Sequence, residues 1–286
     1  MQICREFYAF KGNSLKGEII IMKNKKLKKM DSCYADLFSC KGRVCVVTGA
    51  SGLLGQQLVK GLSDFGAKVY AVDLKLPDKK SNSEGINFIA LDIACQKLVD
   101  KALTTIEKKE GRIDVLVNCA YPRTKDWANH LEKVSIDSWN KNINDHVGGY
   151  FISCRSVAKL MKKNKAGSII NFGSIYGVIA PDFSIYQGTK MTMPAAYSAI
   201  KGGIISFTKY LAAYYGKDNL RANVISPGGV FNGQDSVFVK KYVKKTPLKR
   251  MADPQDIVGA VIFLASDASS YITGQNLIVD GGWSVW

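Results

Sequence analysis

Several things are scarce or missing in these 286 residues, and each absence removes a class of function. No run of eighteen apolar residues occurs, so no membrane-spanning helix and no membrane partner are expected. The seven cysteines (Cys4, Cys33, Cys40, Cys45, Cys95, Cys119, Cys154) are odd in number and scattered. They show neither zinc-ligand spacing nor a disulfide framework, which points to the reducing cytoplasm and to no metal site. Acidic residues number 24 against 40 basic ones, a net charge of +16, yet only seven of the 40 are arginine. Arginine does most of the bidentate reading of bases, so sequence-specific nucleic-acid recognition is not expected. The charge reads instead as a lysine-rich solvated surface, or as a basic field around an anionic substrate.

What remains, 47% hydrophobic and 22% charged, suits one α/β domain with a substantial core. Residues 1–29 carry +6 of the net charge and sustain no helical or strand periodicity. Their one apolar run, Ile19 through Met22, is too short for a signal peptide and precedes the basic cluster Lys23 to Lys29. Residues 1–40 therefore read as a basic, disordered extension, and 41–286 as the folded domain. Translation from Met22 or Met30 is a second reading of the same region, because Lys16-Gly17-Glu18 can be encoded by a purine-rich run.

From Arg43 the chain alternates strand-like and helix-like stretches. Strands are expected at VCVVTG (44–49), KVYAVD (68–73), NFIALD (87–92), IDVLVN (113–118), GSIINF (167–172), RANVIS (221–226) and NLIVD (276–280). Helices are expected near 95–109, 148–163 and 196–215, and another after Asp253-Pro254. This alternation predicts a Rossmann-type, doubly wound parallel sheet in a single α/β domain. Gly49, Gly52 and Gly55 fall between the first strand and its helix, where bare backbone can approach a pyrophosphate at the positive helix end. Asp73 ends the second strand, where its carboxylate can accept bonds from ribose hydroxyls and repel a 2′-phosphate. NAD is thus preferred as cofactor, while Lys75 nearby keeps NADP open.

One stretch holds the same pattern twice: Tyr186-x-x-x-Lys190 and Tyr197-x-x-x-Lys201. On a helix that spacing sets phenol and ammonium on one face, where the cation can lower the phenol pKa and create a general acid/base. The first pair encloses Gly188 and Thr189 and precedes Pro194, so a helix there could run barely two turns. After Pro194, apolar residues recur at Ile200, Ile204, Phe207, Leu211 and Tyr214, the spacing of one helical face. Tyr197 and Lys201 then stand in the first turns of a long packed helix.

Taken together and in order, TGASGLLG (48–55), LDI with Asp92, NCA (118–120), NFGS ending at Ser174, YSAIK (197–201), SPGG (226–229) and the ending ITGQNLIVDGGW resemble the short-chain dehydrogenase/reductase family across about 43–286. The resemblance implies an NAD(P)-dependent oxidoreductase. Tyr197 would be its general acid or base, Lys201 would lower the phenol pKa and hold the nicotinamide ribose, and Ser174 would bond the substrate oxygen. It further implies cofactor contacts from Gly49, Ser51, Gly52, Leu53, Leu54 and Gly55, from Asp92 and Ile93 near the adenine, and from Asn118 and Ala120 near the adenosine ribose. Pro227, Gly228 and Val230 would pass the nicotinamide.

The chain departs from the family in its G-x-x-G-x-x-G spacing and in Asn118-Cys119-Ala120-Tyr121, where Asn-Ala-Gly is usual. His146 stands where the family carries an asparagine that links the lysine to solvent through water. It could bind that water, relay protons itself, or be structural. Tyr186 lies at the usual family distance from Ser174 and Tyr197 does not, which implies an insertion, 178–194, ahead of the catalytic helix. That insertion reads as a substrate wall over the mouth of the site. Tyr176, Tyr186 and Tyr121 would line it, and Arg123 and Lys125 would be anion contacts on a neighbouring loop.

A narrower resemblance, carried by AYPRTKDW (120–127), GGYF and DGGWS, is to bacterial flagellin-modification oxidoreductases. It implies a sugar or nucleotide-activated sugar as substrate. Reduction of a 3-oxoacyl group on an acyl carrier and a non-catalytic NAD-binding subunit are the alternatives. Family resemblance also implies a homodimer or homotetramer through helices 148–163 and 196–215, with the terminal WSVW contributing.

Overall fold

In the computed structural model residues 34–75 and 85–286 are described, and the readings made for residues 1–33 lie outside them. The β-branched runs become seven strands: β1 (Val44–Thr48), β2 (Lys68–Asp73), β3 (Ile86–Ala90), β4 (Val115–Asn118), β5 (Gly167–Phe172), β6 (Leu220–Pro227) and β7 (Asn276–Val279). They form one parallel sheet in the order β3-β2-β1-β4-β5-β6-β7. Every residue of β1 and β4 is buried, as befits strands covered on both faces. Parallel neighbours need crossovers, supplied mainly by α1 (Leu53–Asp64), α2 (Gln96–Glu110), α3 (Ile136–Ile143), α4 (Gly149–Asn164), α5 (Ala195–Tyr215), α6 (Ser236–Lys245) and α7 (Val258–Ala265).

Alternation along the strands builds two cores. Val44 and Val46 join Leu103 of α2, Val157 of α4 and Ile200 of α5 on one face. Cys45 and Val47 join Leu58 and Leu62 of α1 and Val261 of α7 on the other. Strand order reverses between β1 and β4, so their carboxyl ends open a crevice, the usual ligand position in such sheets.

Residues 34–40, read as part of the extension, include a short turn, Tyr34–Phe38, that packs on the domain. Phe38 meets Phe263 with ring centroids 6.3 Å apart, and Cys40 is buried with its N–H donated to the Phe65 carbonyl. Two expectations change. On α5 the buried face runs through Ile200, Ile204, Thr208, Leu211 and Ala212. Tyr214 is 54% exposed and stacks on Tyr210 at the surface, because eleven-residue helical spacing from Ile204 lands nearer Tyr215. Finally, the terminal WSVW is not wholly an outward patch. Trp283 is buried against Tyr242 of α6, rings 4.1 Å apart and 8° from parallel. It belongs to a third core with Ile175, Tyr176, Ile185, Tyr186, Phe238 and Met251, which fastens the insertion to α6.

Candidate active site

The glycine turn between β1 and α1 is shaped by close approach. A Cβ on Gly55 would overlap the Gly49 carbonyl oxygen, and one on Gly49 would sit 2.5 Å from Ala120 Cα. Gly52 is the N-cap of α1 and offers no side-chain cap, so the first amides of a twelve-residue helix face the crevice without an internal acceptor. Asp73 closes the turn from the end of β2: its carboxylate accepts the N–H of Ser51 at 2.8 Å and of Leu74 at 2.7 Å. One cleft of about 870 Å³ is lined by this turn, by Asp73, Asp92, Ile93 and Ala120, by Pro227, Gly228 and Val230, and by Ser174, Tyr197 and Lys201. Backbone that tolerates no Cβ, an acceptor at the second strand end and this volume together fit a dinucleotide.

At the other functional group, Pro194 caps α5 and Tyr197 and Lys201 occupy its first turns. Ser174 follows β5 as the cap of a short turn, Ile175–Gly177, its Oγ accepting the Tyr176 N–H at 3.2 Å. A Cβ on Gly177 would sit 2.6 Å from the Lys201 carbonyl carbon, so glycine there lets the serine turn lie directly on α5. Lys201 is 4% exposed, with no carboxylate beside it. Its ammonium donates to the Phe172 carbonyl at 2.8 Å and lies 3.4 Å from His146 Nε2. It also lies over the rings of Tyr121, Tyr150 and Tyr197 at 5.7–5.9 Å. Burial depresses its pKa to about 8.

The expected effect of Lys201 on Tyr197 is not what governs the phenol here. Burial raises the Tyr197 pKa, with the Ser174 hydroxyl pulling the other way. The lysine directs its ammonium to a carbonyl rather than to the phenol oxygen, so desolvation wins and Tyr197 is a neutral proton donor at pH 7.

His146 sits in a π-turn, Asn144–Gly148, between α3 and α4. It is fully buried and does not line the cleft. Burial, and then Lys201, hold its pKa well below the ordinary 6.5, so the imidazole is neutral. Its Nδ1 has no hydrogen-bond partner among the described residues.

Other expected residues separate. Asn118 does not line the cleft: its Nδ2 donates to Asn171 Oδ1 at 2.9 Å, and its Oδ1 accepts from Thr48 at 3.3 Å, inside the sheet. Parallel register sets Thr48, Asn118 and Asn171 side by side, which converts an expected ribose contact into a polar rung between strands. Lys125 is exposed away from the cleft, and Lys190 also lies off its wall, whereas Tyr121, Arg123, Tyr176 and Tyr186 line it. Tyr186 sits in a short turn, Phe183–Tyr186, that ends before Lys190, so the first pair shares no helix.

Sequence reasoning missed Met191, Met193, Asn232, Gln234, Phe238, Tyr242 and Met251 on the wall. The signal available was the helical recurrence of Phe238, Tyr242 and Lys245 after the cap at Asp235, whose carboxylate accepts the Val237 N–H at 2.7 Å.

Comparison with known proteins places this geometry. A family model described as enoyl-(acyl carrier protein) reductase matches residues 49–284. The post-translational flagellin modification protein A of Campylobacter coli is 33% identical over 255 residues, spanning 86% of this chain and 99% of that protein. A short-chain dehydrogenase from Leptospira borgpetersenii, solved with NAD+ bound, superimposes with a TM-score of 0.82 at 35% identity. That match covers 92% of this chain and 100% of the other. A gluconate 5-dehydrogenase from Burkholderia cenocepacia, solved with NADP and tartrate, gives a TM-score of 0.76 at 27% identity over 88% of this chain and 98% of its own. The glycine turn, the Ser174/Tyr197/Lys201 group and these matches have one meaning: the chain belongs to the short-chain dehydrogenase/reductase family.

Proposed function

We propose that the protein is an NAD-dependent oxidoreductase that interconverts a secondary hydroxyl and a ketone on a sugar or nucleotide-activated sugar, in the making of a bacterial surface glycan such as that of flagellin. One observation carries the chemistry: Tyr197, Lys201 and Ser174 share a single cleft with the glycine turn and Asp73. The similarity to a flagellin modification protein and to a gluconate dehydrogenase supports the sugar class.

The glycine turn and the amides of α1 would hold the pyrophosphate, and Asp73 the adenosine ribose hydroxyls, against a 2′-phosphate. The bound nicotinamide supplies hydride exchange with the substrate carbon. In reduction the Tyr197 phenol gives its proton to the substrate oxygen, and in oxidation it takes that proton back. Ser174 donates a hydrogen bond to the same oxygen, where charge develops. The Lys201 ammonium, over the Tyr197 ring at 5.7 Å, offsets part of the charge of the phenolate left behind. His146 accepts from Lys201 and so orients it.

The test follows NADH absorbance with sugars, nucleotide sugars and acyl-carrier thioesters in parallel. Turnover of sugars and not thioesters is expected. Tyr197→Phe should lower kcat by about a hundredfold or more, while Tyr186→Phe should change mainly KM. Activity confined to thioesters, or abolished by Tyr186→Phe and retained in Tyr197→Phe, would overturn the assignment.

A further inference from the structure

Among the described residues lining the cleft, two are basic, and they differ in kind. Lys201 is enclosed and engaged with Phe172 and His146. Arg123 is exposed, and with the described residues it forms neither an ion pair nor a hydrogen bond. The acidic residues on the same wall are all engaged. Asp145 pairs with Lys141 at 2.8 Å, Asp92 accepts the Ala94 N–H at 2.9 Å, and Asp73 holds two backbone amides.

Arg123 is also placed. Its guanidinium carbon stands 5.4 Å from the centroid of the Tyr121 ring. Tyr121 is itself fixed, because Trp127 Nε1 donates to its hydroxyl at 2.9 Å and the indole packs edge-on against it at 5.7 Å. The same Tyr121 ring meets Tyr197 edge-on, centroids 5.8 Å apart. One rigid ring therefore joins a cation without a counter-ion to the proton-transfer residue. An arginine over a ring keeps the N–H edge of its fork available for a planar carboxylate.

We propose that the substrate carries a carboxylate that Arg123 binds, and that this contact sets which carbon faces Tyr197 and Ser174. The proposal rests on the oxidoreductase reading for the reacting centre and adds the substrate class to it: a short polyhydroxylated acid rather than a neutral sugar. A single guanidinium with no second cation beside it matches one carboxylate.

The test is a binding measurement on the protein with NAD, by titration calorimetry. Threonate is compared with threitol and gluconate with sorbitol, pairs that share a carbon skeleton and differ by one carboxylate against hydroxymethyl. Gluconate 6-phosphate and a nucleotide sugar form two further arms. Wild type should bind the acids at least about tenfold tighter than their polyols. Arg123→Gln should erase that preference and leave the polyols and NAD unchanged, the NAD arm reporting an intact fold. Arg123→Lys should recover only part of it.

Equal binding of acid and polyol by wild type would overturn the proposal. So would a preference that survives Arg123→Gln, or tight binding confined to the phosphate or nucleotide arms. NADH formation is read separately. Arg123-dependent binding of acids with no turnover of any of them would refute the oxidoreductase reading and leave the anion anchor standing.

Discussion

Lys201 is the point at which this site and the stability of the fold oppose one another, and Lys201→Met measures the conflict. Burial holds the ammonium at a pKa of about 8 against its ordinary 10.5. At about 1.4 kcal/mol for each tenfold in that equilibrium, the charged lysine costs the folded state about 3 kcal/mol. The sign follows from proton counting. Below pH 8 the lysine is charged whether folded or unfolded, and the penalty is complete. Between about 8 and 10.5 the folded lysine has released its proton while the unfolded one keeps it, so the wild type gains stability as pH rises. Methionine has no such dependence.

The variant also leaves the Phe172 carbonyl and His146 Nε2 without their donor, at roughly 1–3 kcal/mol for each buried group. That cost is nearly independent of pH, so the slope carries the test rather than any single value. Urea unfolding of both proteins at one fixed protein concentration, from pH 7 to 10, should show the variant's relative stability falling by about 2.5 kcal/mol across the range. A difference curve flat to within about 1 kcal/mol would refute the account of a charged, desolvated lysine.

Two further outcomes are expected. Asp73→Ser removes a carboxylate facing the cleft, and the ratio of kcat/KM for NADP over NAD should rise by about tenfold or more; an unchanged ratio would show that Asp73 does not discriminate. His146→Gln keeps an acceptor for Lys201 and His146→Leu does not, so kcat should stay within about threefold for glutamine and fall about tenfold or more for leucine. The pH–rate profile should shift only in the leucine variant. Equal loss in both would mean that the imidazole relays protons rather than orienting the lysine.

The parts of this molecule that were legible in its sequence are those written in local spacing. The buried run of β1, the glycine turn after it and the helix after Pro194 each depend on neighbours within about two turns of chain, and each is where it was expected. The side-chain partners of Asn118, Thr48 and Asn171, were not legible because they meet it only through the register of adjoining strands. The sign of the Tyr197 shift was missed for a related reason. A Tyr-x-x-x-Lys spacing states that two side chains share a helical face, and it says nothing of how deeply that face is buried. Helix α6 escaped because its polar face is five residues of lysine-rich surface, while its apolar face serves a small satellite core that exists only once the insertion folds over it.

That satellite core explains why two Tyr–Lys pairs can coexist without competing. Lys241 of α6 donates to the Ser184 carbonyl at 3.1 Å and to the Gln187 carbonyl at 2.7 Å, and Lys245 pairs with Asp182. Phe238 meets the Tyr186 ring at 5.2 Å. The insertion is thus held by α6 at both polar and apolar contacts, and Tyr186 is presented to the cleft by a turn rather than by a helix shared with Lys190. Tyr197, in contrast, stands in the first turns of α5 and packs both on the main core and against this satellite core. Changes in residues 178–194 can therefore reshape the substrate wall, and at the positions that cap α5 or pack against Tyr197 they will also bear on the proton-transfer residue.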